Sequence, residues 1–169
     1  MMDVRPSRIR VFFLALSLLF FLMDRGTKTV VVRRLPLYES VVVVDDLFHL
    51  THVANSGALF GLMAGLPSPA RGLVFITVPI LAILLILTFQ FRSRESDLLV
   101  QSGLSLILGG ALGNLYDRIR FGHVVDFLDF SLAGHHWPAF NIADSCICLG
   151  VTALVLDLYR RERRSSPGS

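Results

Sequence analysis

Two apolar runs without a charged residue, Leu73–Phe91 and Leu98–Tyr116, constrain this chain more than any other feature. A bilayer core about 30 Å thick needs roughly 20 apolar residues in a helix, and each run supplies that length. Two more stretches come close. Ile9–Met23 is interrupted only by Arg10, and a fourth, about Trp137–Tyr159, is apolar apart from Asn141, Asp144, Ser145 and Asp157. The first of these resembles a signal peptide in its basic start. Asp24, Arg25 and Lys28 follow it where a small-residue cleavage site would be needed, so it reads as a retained span. Composition agrees: 53% of the 169 residues are hydrophobic and 17% charged, against about 25% charged in soluble proteins. That excludes a disordered chain and argues against a soluble globular domain.

The reading is an all-α membrane protein of one domain, residues 1–169, with four transmembrane helices at about 9–23, 73–91, 98–116 and 137–159. Pro79 should kink the second span, which neighbouring helices can absorb. Gly103, Gly109, Gly110 and Gly113 should let the third approach its neighbours closely. The net charge of +3 does not point to nucleic acid, because the arginines gather at the ends of the apolar blocks. Arg5/Arg8/Arg10, Arg92/Arg94 and Arg160/Arg161/Arg163/Arg164 fall on one side of a four-span frame, and the positive-inside rule makes that side cytoplasmic. Residues 24–71 then form an outer loop. Within it Ser40–Val44, the turn signal Asp45–Asp46 and Phe48–Val53 predict a hairpin, a small extracytoplasmic β-sheet cradle. Leu62–Ala70 reads as a break, and Arg160–Ser169 as a charged, disordered tail. Cys146 and Cys148 are two apart on a predicted helix, face different ways and form no disulfide there.

Polar groups inside spans are costly and mark function. Here they gather at the outer ends of the third and fourth spans and in the loop between. Asn114, Asp117 and Arg118 share one helical face; Asp117 with Arg118 can equally be an interfacial ion pair. Asn141 and Asp144 are three apart, the spacing of a helix N-cap and its first turn. Asp126 follows two valines and precedes Phe127 and Leu128, an apolar setting that raises a carboxyl pKa, although a loop carboxylate is the plainer reading. Asp126 and Asp144 together form a candidate paired-carboxylate site. One proton shared between them leaves a base to activate water and an acid to protonate the leaving nitrogen. Asp129 reads as a solvated loop carboxylate. No nucleophile elbow, HExxH motif or phosphate loop occurs. His135–His136 with Asp126 or Asp129 makes a poor metal site, because adjacent histidines point apart on a regular element. No metal is expected.

Asn55-Ser56-Gly57-Ala58-Leu59-Phe60, Gly109 to Arg118, Val124-Val125-Asp126-Phe127 and Phe140 to Asp144 resemble the successive motifs of lipoprotein signal peptidase (signal peptidase II). Asp24-Arg25-Gly26-Thr27-Lys28 is similar to that family's Asp-x-x-Thr-Lys motif. Leu59 stands where the family commonly has Ala. The resemblance covers nearly the whole chain. It implies an aspartic endopeptidase of the bacterial inner membrane, with both termini cytoplasmic and the site at the outer face. The enzyme would cleave prolipoproteins before a diacylglyceryl-modified cysteine. It also implies inhibition by globomycin-type cyclic peptides, no cofactor and action as a monomer among membrane lipid. Asp126 and Asp144 would be the catalytic dyad. Asn55, Asn114, Arg118 and Asn141 would bind substrate. Asp24, Lys28, Gly57, Asp117 and Ala143 would support them, and Phe60, Leu62 and Met63 would cradle the substrate from above.

Two other classes compete on the residues alone. A small transporter would use Asp117, Asp126 and Asp144 as a proton relay and would hold its acids near the midplane. An assembly factor would carry its Asp–Arg pairs only as interfacial anchors.

Overall fold

A computed structural model describes residues 7–57 and 68–165. Of the four helices described, α1 (Arg8–Arg34), α2 (Ser68–Arg92), α3 (Leu98–Phe121) and α4 (Ile142–Ser165), α3 packs against the other three. Four strands, β1 (Ser40–Val44), β2 (Phe48–Asn55), β3 (Val124–Leu132) and β4 (His135–His136), form an antiparallel arrangement in that spatial order. Among the described residues, three stretches are long and apolar enough to cross a membrane: Gly72–Arg92, Leu98–Phe121 and Ile142–Arg164. With the apolar side chains exposed around them, such as Leu81 and Leu158, they make this a multi-pass membrane protein.

The helix α1 corrects the expected span. Ser7 caps its start, accepting from the Arg10 backbone N–H at 3.3 Å. It then continues eleven residues past Met23 to Arg34. Phe13, Ser17, Asp24 and Lys28 recur at helical spacing and are buried along one face. Asp24 and Lys28, i and i+4, therefore lie within a packed helix and not in a loop. Their charges keep α1 outside the set of purely apolar spans.

Glycine seams set how closely α3 meets its neighbours. A Cβ on Gly109 would lie 2.6 Å from the Ser17 carbonyl of α1, and one on Gly103 2.9 Å from the Gly150 carbonyl of α4. Gly110 would strike the Ala143 carbonyl. α2 packs its Ile83 with Leu108 and Leu115 of α3. At one end of the bundle, Arg10 reaches Glu95 at 3.1 Å and Arg161 reaches Asp97 at 2.8 Å. The start of α1, the α2–α3 connection and the end of α4 thus share that end, as the arginine clusters require.

The strands occupy the opposite end. The hairpin expected from Ser40 onwards is present, with Asp46 at φ 57° in its turn, and β2 extends to Asn55. The loop expected between the third and fourth spans is instead mostly strand. Gly122, at φ 76°, ends α3 in the left-handed region and its N–H bonds the Arg118 carbonyl. β3 then runs beside β2, from Val124 opposite Asn55 to Phe130 opposite Phe48. Ala133 and Gly134, both at positive φ, form the two-residue turn into β4, as a primed hairpin turn requires. Asp129 consequently sits on β3 and bonds His136, rather than in a solvated loop. α4 begins at Ile142, not Trp137, because the segment before it pairs with β3: the Trp137 and Phe140 N–H groups donate to the Phe130 and Leu128 carbonyls. Its helix persists to Ser165, beyond the tail's expected start. The break over Leu62–Ala70 falls mostly outside the described residues, as do Ala58, Leu59, Phe60, Leu62 and Met63; Ser68–Ala70 already belong to α2.

Candidate active site

Asn141 ties two carboxylates together. It precedes α4 as its N-cap: its Oδ1 accepts the Asp144 N–H at 2.9 Å, and its own N–H donates to Asp144 Oδ2 at 3.2 Å. This is the reciprocal arrangement of a capping box. The other end of the same amide, Nδ2, donates to Asp126 Oδ1 at 2.6 Å. Asp126 is brought there by β3, which Phe140 joins through backbone bonds to Phe127 and Leu128. Its second oxygen accepts from Asn55 Nδ2 at 2.8 Å, across the β2–β3 pair. Asn55 Oδ1 in turn accepts the Gly57 N–H at 2.8 Å. Gly57 has φ 79°, and a Cβ there would lie 2.5 Å from the Phe75 ring, so only glycine fits this turn.

Asn114 of α3 completes the link. Its Nδ2 donates to Asp144 Oδ1 at 2.7 Å, and its Oδ1 accepts from Asn141 Nδ2 at 3.2 Å and from Lys28 Nζ at 3.0 Å. The amide is thus engaged with protein groups on both ends. The Arg118 guanidinium donates to the Asn114 carbonyl at 3.4 Å and lies over the Phe75 ring, 5.6 Å from its centroid.

Beneath this layer is a buried ion cluster. Lys28, wholly buried, places Nζ 2.8 Å from Asp24 Oδ2 and 2.9 Å from Asp117 Oδ2, with Asn114 Oδ1 as its third neighbour. Three donors meet three acceptors, the condition under which a buried ammonium is tolerated. Asp117 also pairs with Arg25 and accepts the Val125 N–H at 3.3 Å, and Asp24 Oδ1 accepts the Ala143 N–H at 3.0 Å. Sequence spacing offered Arg118 as the partner of Asp117; its partners are Arg25 and Lys28, both on α1. The pairing with Arg25, 92 residues apart in the chain, left no local signal. Asn55, Asn114, Asp117, Asp126, Asn141 and Asp144 meet in one connected network with Asp24 and Lys28, bordered by Arg118.

Burial pushes the Asp126 pKa from 3.8 up to about 6; the hydrogen bonds from Asn55 and Asn141 oppose this, and the negative charge of Asp144 adds to it. Asp144 lies in the first turn of α4, where the helix N-terminus favours negative charge.

The pattern of one known family, described as Signal peptidase (SPase) II, matches residues 16–160. The chain belongs to the signal peptidase II family. As a member it is an aspartic peptidase of the membrane. It is similar to the lipoprotein signal peptidase of Syntrophus aciditrophicus, at 46% identity over 92% of this chain and 97% of that one. The lipoprotein signal peptidase of Geobacter metallireducens is 47% identical over 85% of this chain and 88% of its own. Among solved structures, a bacterial membrane enzyme determined by the in meso method at 2.3 Å resolution superposes with a TM-score of 0.81, at 26% identity over 94% of this chain and 93% of that one. The peptidase and this relative therefore share a fold from end to end.

Proposed function

We propose that this signal peptidase II removes signal peptides from diacylglyceryl-modified prolipoproteins, cleaving on the N-terminal side of the lipid-modified cysteine, with Asp126 and Asp144 as the catalytic pair. The observation that carries the reading is that Asn141 donates to both carboxylates, through Nδ2 to Asp126 and through its backbone N–H to Asp144, at the strand-bearing end of the bundle. Asp126, buried and raised in pKa, holds the shared proton and donates it to the scissile carbonyl oxygen. Asp144, at the helix N-terminus, takes a proton from the attacking water. The roles then reverse as the leaving nitrogen is protonated. Asn55, Asn114 and Asn141 act as positioning residues, since their amides hold the carboxylates. Arg118, at the edge of the network, is suited to bind a substrate carbonyl. Lys28, Asp24 and Asp117 fix α1 against α3 beneath them, with Ala143 and Gly57 allowing close approach.

α1 would cross the bilayer as a fourth span in the bacterial inner membrane, with both termini cytoplasmic and the sheet on the outer face, where an anchored substrate arrives laterally through lipid. The chain would act as a monomer, blocked by globomycin-type cyclic peptides. The test is cleavage of a diacylglyceryl-modified precursor by the purified protein. Wild type should cleave it and be inhibited by globomycin, and Asp126→Asn and Asp144→Asn should each be inactive while still folded. Near-normal turnover by either variant would overturn the assignment, and cleavage only of unmodified precursor would overturn the substrate.

A further inference from the structure

Strand β3 carries a second cluster of ligand-capable side chains, beyond Asp126 in the direction of the β4 turn. His49 of β2 is the direct cross-strand partner of Asp129, and His136 of β4 is opposite Ser131. The three residues therefore meet where β2, β3 and β4 run side by side. His136 Nδ1 lies 2.9 Å from one Asp129 oxygen and 3.1 Å from the other. The His49 and His136 rings have centroids 5.5 Å apart. One ligand-capable atom from each of the three lies within 4.8 Å of the other two.

Zinc binds nitrogen and oxygen at about 2.0–2.2 Å in a tetrahedron, which sets ligand atoms roughly 3.3–3.5 Å apart. The separations here, 2.9 Å between His136 and Asp129 and no more than 4.8 Å for any pair, bracket that spacing. A second observation points to a ligand. His49 Nδ1 is buried and has no hydrogen-bond partner among the described residues, and a buried nitrogen left unpaired destabilises the fold. Two imidazoles with one carboxylate are a donor set for zinc-class ions. The sequence offered His135 beside His136; hairpin geometry instead supplies His49, which no local spacing links to the other two.

We propose that His49, Asp129 and His136 bind one zinc-class divalent cation. The ion clamps β2, β3 and β4 together, with a fourth position left for water. It holds the sheet and takes no part in hydrolysis.

The experiment uses the untagged full-length protein in detergent, stripped with EDTA and titrated with zinc chloride against a chromophoric chelator. Wild type should take up one equivalent, and His136→Ala and His49→Ala should each bind at least tenfold more weakly. Cobalt(II) should give a visible d–d band that the same variants lose. Zinc should raise the melting temperature of wild type but not of His136→Ala. The His136 side chain is 57% exposed, so its removal does not threaten the fold, and it decides the outcome if His49→Ala fails to fold. Zinc uptake by wild type equal to that of His136→Ala overturns the site and leaves Asp129–His136 as an ordinary surface pair. Uptake that persists in His136→Ala but disappears in Cys146→Ser/Cys148→Ser also overturns it.

Discussion

Asp126→Asn replaces a carboxyl by a group of nearly the same shape that cannot ionise. Asp126 is 2% exposed, and burial raises its pKa from 3.8 to about 6. Below the lower value the carboxyl is neutral in folded and unfolded chains alike, and burial carries no charge penalty. Between the two values the folded chain keeps a proton that the unfolded chain has released, so stability falls as pH rises. Above about 7 both forms are ionised and the folded chain carries the full penalty, roughly 3 kcal/mol at 1.36 kcal/mol per pH unit of displacement. The variant feels none of this. Its stability relative to wild type should therefore grow by roughly 3 kcal/mol from about pH 3 to about pH 8. In thermal melts that is a change on the order of 6–12 °C in the difference of midpoints for a chain of this size. At any one pH the gain is reduced, because an amide offers one acceptor oxygen to the two donors of Asn55 and Asn141. The assay is a series of melts of both proteins in detergent across that range, with precursor cleavage measured in the same buffers. The variant should be inactive throughout yet progressively more stable relative to wild type. A difference in midpoints that stays flat with pH refutes the electrostatic argument.

Asn141→Ser keeps an N-cap and discards the Nδ2 donor. It should restore the roughly 1 kcal/mol of stability that Asn141→Ala loses, while turnover stays about 10²–10³ lower; rescue of both by Ser would make Asn141 a cap alone. Lys28→Met strands two buried carboxylates, and thermal or denaturant unfolding should show a loss of about 3–5 kcal/mol. A loss under 1 kcal/mol would show that the ion cluster does not hold α1 to α3. EDTA, and separately Cys146→Ser/Cys148→Ser, should leave precursor cleavage near wild type, because the residues proposed to hold the ion do not bond the carboxylate pair and, among the described residues, neither thiol does. Metal-dependent recovery after chelation would place an ion in the reaction.

The membrane character and the first hairpin were legible in the sequence because each rests on local pattern. An uncharged run of span length has few alternatives, and a β-branched run beside an Asp–Asp turn has few others. The two roles of Asn141 were half legible. A cap shows in its spacing to Asp144, but the donor to Asp126 depends on Phe140 pairing with β3. Strand β3 itself was missed, because Val124–Phe127 are buried together and show no alternation; the signals available were its β-branched and aromatic content and the Gly122 and Ala133–Gly134 turns. The length of α1 was missed because charged residues usually end a span. Whether Asp24 and Lys28 belong in a loop or a buried helix depends on Asp117, 89 positions beyond Lys28 in the numbering of the chain. Local sequence thus determined which segments are apolar enough for lipid and which turns they carry. Tertiary structure decided which charges are neutralised, which amides hold which carboxylates and which histidines meet, because each of these is settled by a partner distant in the chain.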